Sequence, residues 1–245
     1  MSINIEKKTR EVQTRPRLVE IVGPAGAGKT TLCKVLSSCR GVHLSNFPDV
    51  RKKSNAHFFI FSGFRVFPVF LQMCRSAERR LTRREFAWLS ILSGWPKVIR
   101  NELKRNEDVI VLDQGPVYLL SEMTLLGHEF LKASRAKPNL QSWYSQWAAT
   151  LDAIVWLDAT NECLINRIRS REKDHVVKDA SPQAVIRFLD DYRAEYEYTL
   201  SKLIDRRIDL KIFQFDTGRQ SPQEIANQLL VELDLKLKTS VDQKC

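Results

Sequence analysis

Short apolar runs recur along the chain, each followed by a turn and then by apolar positions at helical spacing. Arg17 to Val22 (RLVEIV) is the first run, and a glycine-rich loop follows it at once. Thr30 to Ser38 then sets Leu32, Val35 and Leu36 on one face, the period of an amphipathic helix. Gly41 is a stop signal, and Val42 to Leu44 reads as a short second strand. Residues 56 to 107 are mostly helical in pattern, punctuated by Gly94-Trp95-Pro96. Asp108 to Asp113 (DVIVLD) is a buried strand ending in a carboxylate. Gln114-Gly115-Pro116 turns the chain into another helix, and Lys137-Pro138-Asn139 marks a loop before Trp143, Tyr144 and Trp147. Asp152 to Asp158 (DAIVWLD) is a further strand. Thr160 caps the next helix, with Glu162 in its first turn and Leu164, Ile165 and Ile168 as its apolar face. Ser181-Pro182 opens another helix, and Leu210 to Phe215 is a last strand. Ser221 to Glu224 is a capping box that opens the terminal helix.

Strands that alternate with helices imply right-handed crossovers and a parallel sheet covered on both faces. A chain of 245 residues suits one such α/β domain. Residues 1 to 16 are polar and end in Pro16, so they are read as a loose tail; 17–237 is the folded unit and 238–245 a second tail. The block at 56–107 is long for a crossover, as substrate-recognition insertions are. Within it Phe58 to Met73 is the most apolar stretch. Arg65 interrupts it, Pro68 would kink it, and it falls short of the ~20 residues of a membrane span, so a buried or substrate-facing helix is expected.

Charge narrows the class of partner. The net charge of +10 favours anions: nucleotides, phosphorylated substrates, nucleic acid or an anionic surface. The five cysteines, Cys33, Cys39, Cys74, Cys163 and Cys245, are scattered and odd in number. That excludes a disulfide framework or a C-x-x-C zinc site and suits a reducing cytosol.

One motif carries chemistry directly. Gly23-Pro24-Ala25-Gly26-Ala27-Gly28-Lys29-Thr30 matches G-x-x-x-x-G-K-[ST], with a strand before it and the helix from Thr30 after it, and Thr31 is counted with it among the nucleotide-binding residues. Glycines let the backbone curl so that its N–H groups make an anion nest, and the helix points its positive end at the same place. Lys29 supplies a mobile charge for β- and γ-phosphates, and the Thr30 hydroxyl is a Mg²⁺ ligand. Mg·ATP is the expected cofactor. Asp113 ends a buried strand, where open α/β sheets bind ligands. It is either a Mg²⁺ ligand or a base, and both readings stay open. Arg167 and Arg171 share a helix face, with Arg169 between them and Lys173 and His175 beyond; they suit charge spread over phosphoryl oxygens, or else form a solvated basic face. Arg75, Arg79, Arg80, Arg83 and Arg84 form a second basic cluster, read first as solvated and otherwise as a contact for an acceptor phosphate, RNA or lipid headgroups. No nucleic-acid module signature accompanies it, so no sequence-specific nucleic acid is expected. His43, His57 and His128 lack metal-ligand spacing and are read as structural.

Four stretches resemble the P-loop nucleoside and nucleotide kinases, especially thymidylate and deoxynucleoside kinases: 18–32, 109–115, 154–172 and 215–229. The third is the most telling, with a strand ending in Leu-Asp, a capped helix and R-x-x-x-R spacing at Arg167 to Arg171. The resemblance implies a three-layer α/β/α sandwich with a five-stranded parallel sheet in the order 2-3-1-4-5. It also implies a lid near 167–180 and adenine near Thr217 to Pro222. Two positions depart from the family: Gln114 stands where an arginine is usual, and Ser45 to Asp49 lacks the usual glutamate, leaving Asp49 as the substitute. The reading is a phosphotransferase acting on a small hydroxyl or phosphate acceptor, with Lys29, Asp113, Arg167 and Arg171 as catalytic groups. An NTP-dependent switch with slow hydrolysis is the alternative, and a transfer enzyme at a membrane surface a third. A homodimer and a weak anionic-surface contact stay open.

Overall fold

The computed structural model describes residues 18–45, 47–48, 53–76, 82–105, 108–127, 138–172 and 174–233. Both tails, Asp49, Arg79, Arg80, His128 and Lys173 lie outside the described residues, as do the side chains of Cys74 and Arg75.

Five parallel strands form one sheet in the order β2-β3-β1-β4-β5. They are β1 (Leu18–Val22), β2 (Val42–Ser45), β3 (Val109–Leu112), β4 (Ala153–Asp158) and β5 (Lys211–Asp216). The helices between them are α1 (Lys29–Ser37), α2 (Lys53–Ser76), α3 (Arg83–Arg105), α4 (Pro116–Leu126), α5 (Pro138–Ala148), α6 (Asn161–Arg169), α7 (Pro182–Ile204) and α8 (Pro222–Glu232). The order 2-3-1-4-5 and the α/β class are those expected from the chain's resemblance to P-loop kinases. β1 lies at the centre, in register with β3 at Glu20 and Leu112 and with β4 at Val22 and Trp156.

The period of two in β1 divides the core. Val19 and Ile21 join Leu32, Leu36, Leu164, Ile168 and Leu229 on one face. Leu18 and Val22 join Trp95, Leu112, Trp147 and Tyr196 on the other. Trp95 and Trp147 meet edge to face at 5.4 Å, a favoured aromatic geometry. Glu20 also points to this second face and is fully buried. Its carboxylate accepts N–H bonds from Gly115 (3.1 Å), Val117 (2.9 Å) and Tyr118 (2.9 Å). These are orphan donors of the first turn of α4, whose N-cap Gly115 has no side chain to satisfy them. A side chain on the central strand therefore caps a helix across the sheet. Gly115 is required by this contact: a Cβ there would lie 2.4 Å from the Glu20 carboxyl carbon.

Three local expectations are corrected. Gly94-Trp95-Pro96 does not break the helical block, because α3 runs through it. A Cβ at Gly94 would lie 2.9 Å from the Ser62 hydroxyl, so this glycine serves close packing of α2 on α3. Burial of Leu92, Trp95 and Ile99 around Pro96 offsets the helix hydrogen bond that proline removes. Pro138 and Asn139 belong to α5 rather than to a loop, with proline at the first helical position. Of the two readings of Phe58 to Met73, a buried or a substrate-facing helix, full burial does not hold. α2 packs chiefly on α3, which covers the stripe Phe59, Ser62 and Val66 and leaves Ile60, Phe61 and Phe64 exposed. Among the described residues, no helix is long and apolar enough to cross a membrane.

Removal of the Glu20 carboxylate strands three buried donors, each costing about 1–3 kcal/mol when unsatisfied. Glu20→Ala is expected to lower the unfolding free energy by roughly 3 kcal/mol or more in a denaturant titration, and Glu20→Gln, which keeps an acceptor oxygen, by less. A loss below about 0.5 kcal/mol for the alanine variant would contradict this role.

Candidate active site

The loop between β1 and α1 is curled by three left-handed glycines, Gly23 (φ 148), Gly26 (φ 87) and Gly28 (φ 85). It is also pressed against its neighbours. A Cβ at Gly23 would lie 2.1 Å from the Leu157 carbonyl oxygen at the end of β4, and one at Gly26 2.9 Å from that of Leu164 in α6. The Lys29 ammonium donates to the carbonyls of Gly23 (2.6 Å) and Pro24 (3.0 Å). Burial pushes its pKa down to about 8; Asp113 opposes this shift and Arg171 adds to it. The first turn of α1 has no acidic residue to compete for the positive helix end.

Thr30 donates its hydroxyl to Asp113 Oδ2 at 2.9 Å. The end of β3 thus meets the start of α1, and two hard oxygen groups stand side by side. The buried Cys33 thiol beside Asp113 is pushed up by burial and by that carboxylate, which keeps it neutral and unreactive.

Two clefts meet at the loop and share Thr31 and Arg171. The first, of 340 Å³, lies between the loop residues Gly26 and Gly28 and the segment after β5, with Thr217, Gln220 and Pro222. The second, of 520 Å³, holds Lys29, Thr30, Asp113 and Gln114 at one end. Tyr118, Glu122, Phe188 and Tyr192 line its other end. There Tyr192 donates a short hydrogen bond to Glu122 Oε1, and Arg84 stands 3.9 Å from Glu122 Oε2 while covering the Trp88 ring at 4.6 Å. Burial and the Glu122 carboxylate raise the pKa of both tyrosines, so they stay protonated donors.

The two arginines expected to act together both line the first cleft but differ in their contacts. Arg167 donates to Thr217 Oγ1 (2.9 Å), to the Thr217 carbonyl (2.8 Å) and to the Gly26 carbonyl (3.3 Å), bracing the loop against the segment after β5. It lines only the first cleft. Arg171, two residues past the end of α6, faces both clefts, and its charge is felt at Lys29. His175 packs on Phe188 at 5.6 Å; burial, then Arg171 and Lys29, lower its pKa, so it is neutral at pH 7. His43 lies 3.5 Å from Glu102, and His57 is exposed beside Phe58.

Several residues that build the site were not singled out in the sequence. Glu20 and Glu122 were visible as lone charges in apolar runs, a sign of buried function or capping. Thr82 and Glu85 close a capping box on α3, with Glu85 Oε2 accepting the Thr82 N–H at 2.8 Å, and the T-x-x-E spacing announces it. Asp158, the aspartate of the Leu-Asp strand end, is held bidentately by Arg193 at 2.8 and 3.0 Å, fixing α7 to β4; nothing in the sequence pairs these two.

No family model and no curated protein sequence matches the chain. Solved structures do. A YorR protein from Bacillus subtilis, determined in complex with phosphorylated GDP, is 16% identical, with a TM-score of 0.52 over 89% of this chain and 96% of that one. Thymidylate kinase from Candida albicans is 14% identical, with a TM-score of 0.50 over 90% of this chain and 92% of that one. At these identities the likeness is one of architecture: the chain has the fold of the P-loop nucleotide kinases.

Proposed function

We propose that the chain is a phosphotransferase that moves the γ-phosphoryl group of Mg·ATP to a small nucleoside- or nucleotide-like acceptor. One observation carries this reading: a single cleft runs from Lys29, Thr30 and Asp113 to the wall of Tyr118, Glu122, Phe188 and Tyr192. A triphosphate held in the loop would end facing a pocket able to take a second molecule. A switch that only binds and slowly hydrolyses its nucleotide has no use for such a pocket. The phosphorylated GDP bound by the Bacillus protein and the thymidylate kinase activity of the Candida enzyme support a nucleotide-like acceptor.

The residues present fit the cofactor. The left-handed glycines turn N–H groups inward, and Lys29, now bonded to two loop carbonyls, can exchange them for β- and γ-phosphate oxygens. Thr30 and Asp113 would hold Mg²⁺ with phosphate oxygens and water, since among the described residues no three His, Cys, Asp or Glu side chains cluster. The ion neutralises charge on the transferring group. The base of the nucleotide would occupy the first cleft, beside Thr217 and Pro222. Arg167 acts as a brace for that cleft, while Arg171 reaches the phosphoryl group. Phe188 and Tyr192 offer ring faces to a planar acceptor, and Glu122 accepts its N–H donors. Asp113 orients the acceptor hydroxyl or shares in holding the metal. Catalysis is then positioning and electrostatic stabilisation, with no covalent step on the protein.

Purified protein given Mg·ATP and a panel of nucleosides, nucleoside monophosphates and small sugars should release ADP much faster with one nucleoside or nucleotide class than alone. Lys29→Ala should abolish that release while its circular dichroism stays native; a folded variant that still turns over would sink the loop's role. Arg171→Ala should lower kcat by about 10²-fold or more with ATP affinity little changed, the signature of an interaction made in the transition state. Equal losses in both would contradict it.

The Lys29 pKa sets a pH dependence. Phosphate binding needs the ammonium form, so ATP affinity should hold steady below the pKa of about 8 and weaken above it. The limiting slope is about tenfold per pH unit. Lys29→Arg, charged throughout, should lose the slope in calorimetric titrations, whereas a flat wild-type profile up to about pH 9.5 would refute the assignment.

A further inference from the structure

Among the described residues, the outward face of α2 gathers the largest group of exposed large apolar side chains. Ile60 (63% exposed), Phe61 (58%), Phe64 (75%) and Leu71 (40%) project from one long helix. Their spacing, 60, 61, 64 and 71, keeps them on one broad side. At ~1.5 Å rise per residue the stripe is roughly 16 Å long, too long for stray surface apolar residues. Lys97 of α3 holds its ammonium 4.8 Å over the Phe61 ring, at the border of the stripe.

Charge selects what covers it. The segment from Lys53 to Arg105, which contains α2 and α3, carries eleven Lys and Arg against three Glu. The net charge of the whole chain is +10, so most of it resides in this segment. Arg83 and Arg84 at the start of α3 are exposed. A second copy docking through the same face would bring an equal positive charge against this one. An anionic lipid leaflet offers both complements at once, acyl chains for bulky apolar side chains and headgroup phosphates for the basic residues beside them.

We infer that the exposed face of α2 seats the protein on anionic membrane surfaces as a peripheral, interfacial helix. Binding is reversible, and it draws on apolar insertion and on charge together. It stands independently of the proposed transfer reaction. Arg84, one of the exposed basic residues of this segment, also lies 3.9 Å from Glu122 of the acceptor wall.

The test is flotation of the full chain with phosphatidylcholine vesicles containing about 30% phosphatidylserine, against phosphatidylcholine alone. Binding should be at least about tenfold greater to the anionic vesicles and should fall sharply between about 0.1 M and 1 M NaCl, as the screening length shrinks from ~10 to ~3 Å. The double variant Phe61→Ser/Phe64→Ser, at exposed positions, should keep its melting temperature and lose at least about tenfold in vesicle binding. Equal binding to neutral and anionic vesicles, or undiminished binding by the folded double variant, would overturn the inference. So would sedimentation showing a dimer that this variant dissociates, with no vesicle binding by the wild type, since a second copy would then own the face.

Discussion

Glu20 is the point on which the two halves of the site depend. It lies on the central strand, three residues before the phosphate loop, and reaches across the sheet to the first turn of α4. Its own strand delivers the loop, and the helix it caps carries Tyr118 and Glu122 to the wall opposite. The carboxylate thus fixes the distance between the phosphate end and the pocket beside it. Burial raises the Glu20 pKa to about 8, and the three N–H groups, which pull it down, offset only part of the cost of burying a charge there. Because Gly115 can carry no Cβ against that carboxyl, the turn after β3 is set by the same contact.

The loop is placed with equal economy of parts. Gly23 and Gly26 bring its backbone against β4 and α6, so residues from the second half of the chain surround it. Arg167 ties it to the segment after β5, Arg193 locks α7 onto the end of β4, and Arg171 is left facing the clefts. Spacing of four on a helix gave both arginines one face, yet their tertiary contacts differ. The one nearer the helix body found backbone carbonyls, and the one past its end stayed available.

Local chemistry explains what was legible in the chain. The strands β3 and β4 are near-continuous apolar runs and β1 is one broken only by Glu20, a pattern suited to a doubly covered parallel sheet, and Thr160, Ser181 and Ser221 each cap the helix expected of them. The glycine-rich motif was readable because its residue types follow from backbone geometry. Long-range pairings were not, since Glu20 with α4, Arg193 with Asp158 and Tyr192 with Glu122 join residues about 30 to 100 positions apart and leave no periodic trace. α2 misled for a different reason. Its apolar content is that of a core helix, but among the described residues it packs chiefly on α3, so composition signalled more burial than the fold supplies.

The central claim is that the loop and the aromatic wall form one reaction site. The fate of the γ-phosphoryl group of radiolabelled ATP tests it most directly. In the presence of a nucleoside or nucleotide acceptor, the label should appear on that acceptor, with little released as inorganic phosphate. Label found only in inorganic phosphate, at a slow rate that no acceptor changes, would contradict the account and leave the loop serving a nucleotide switch.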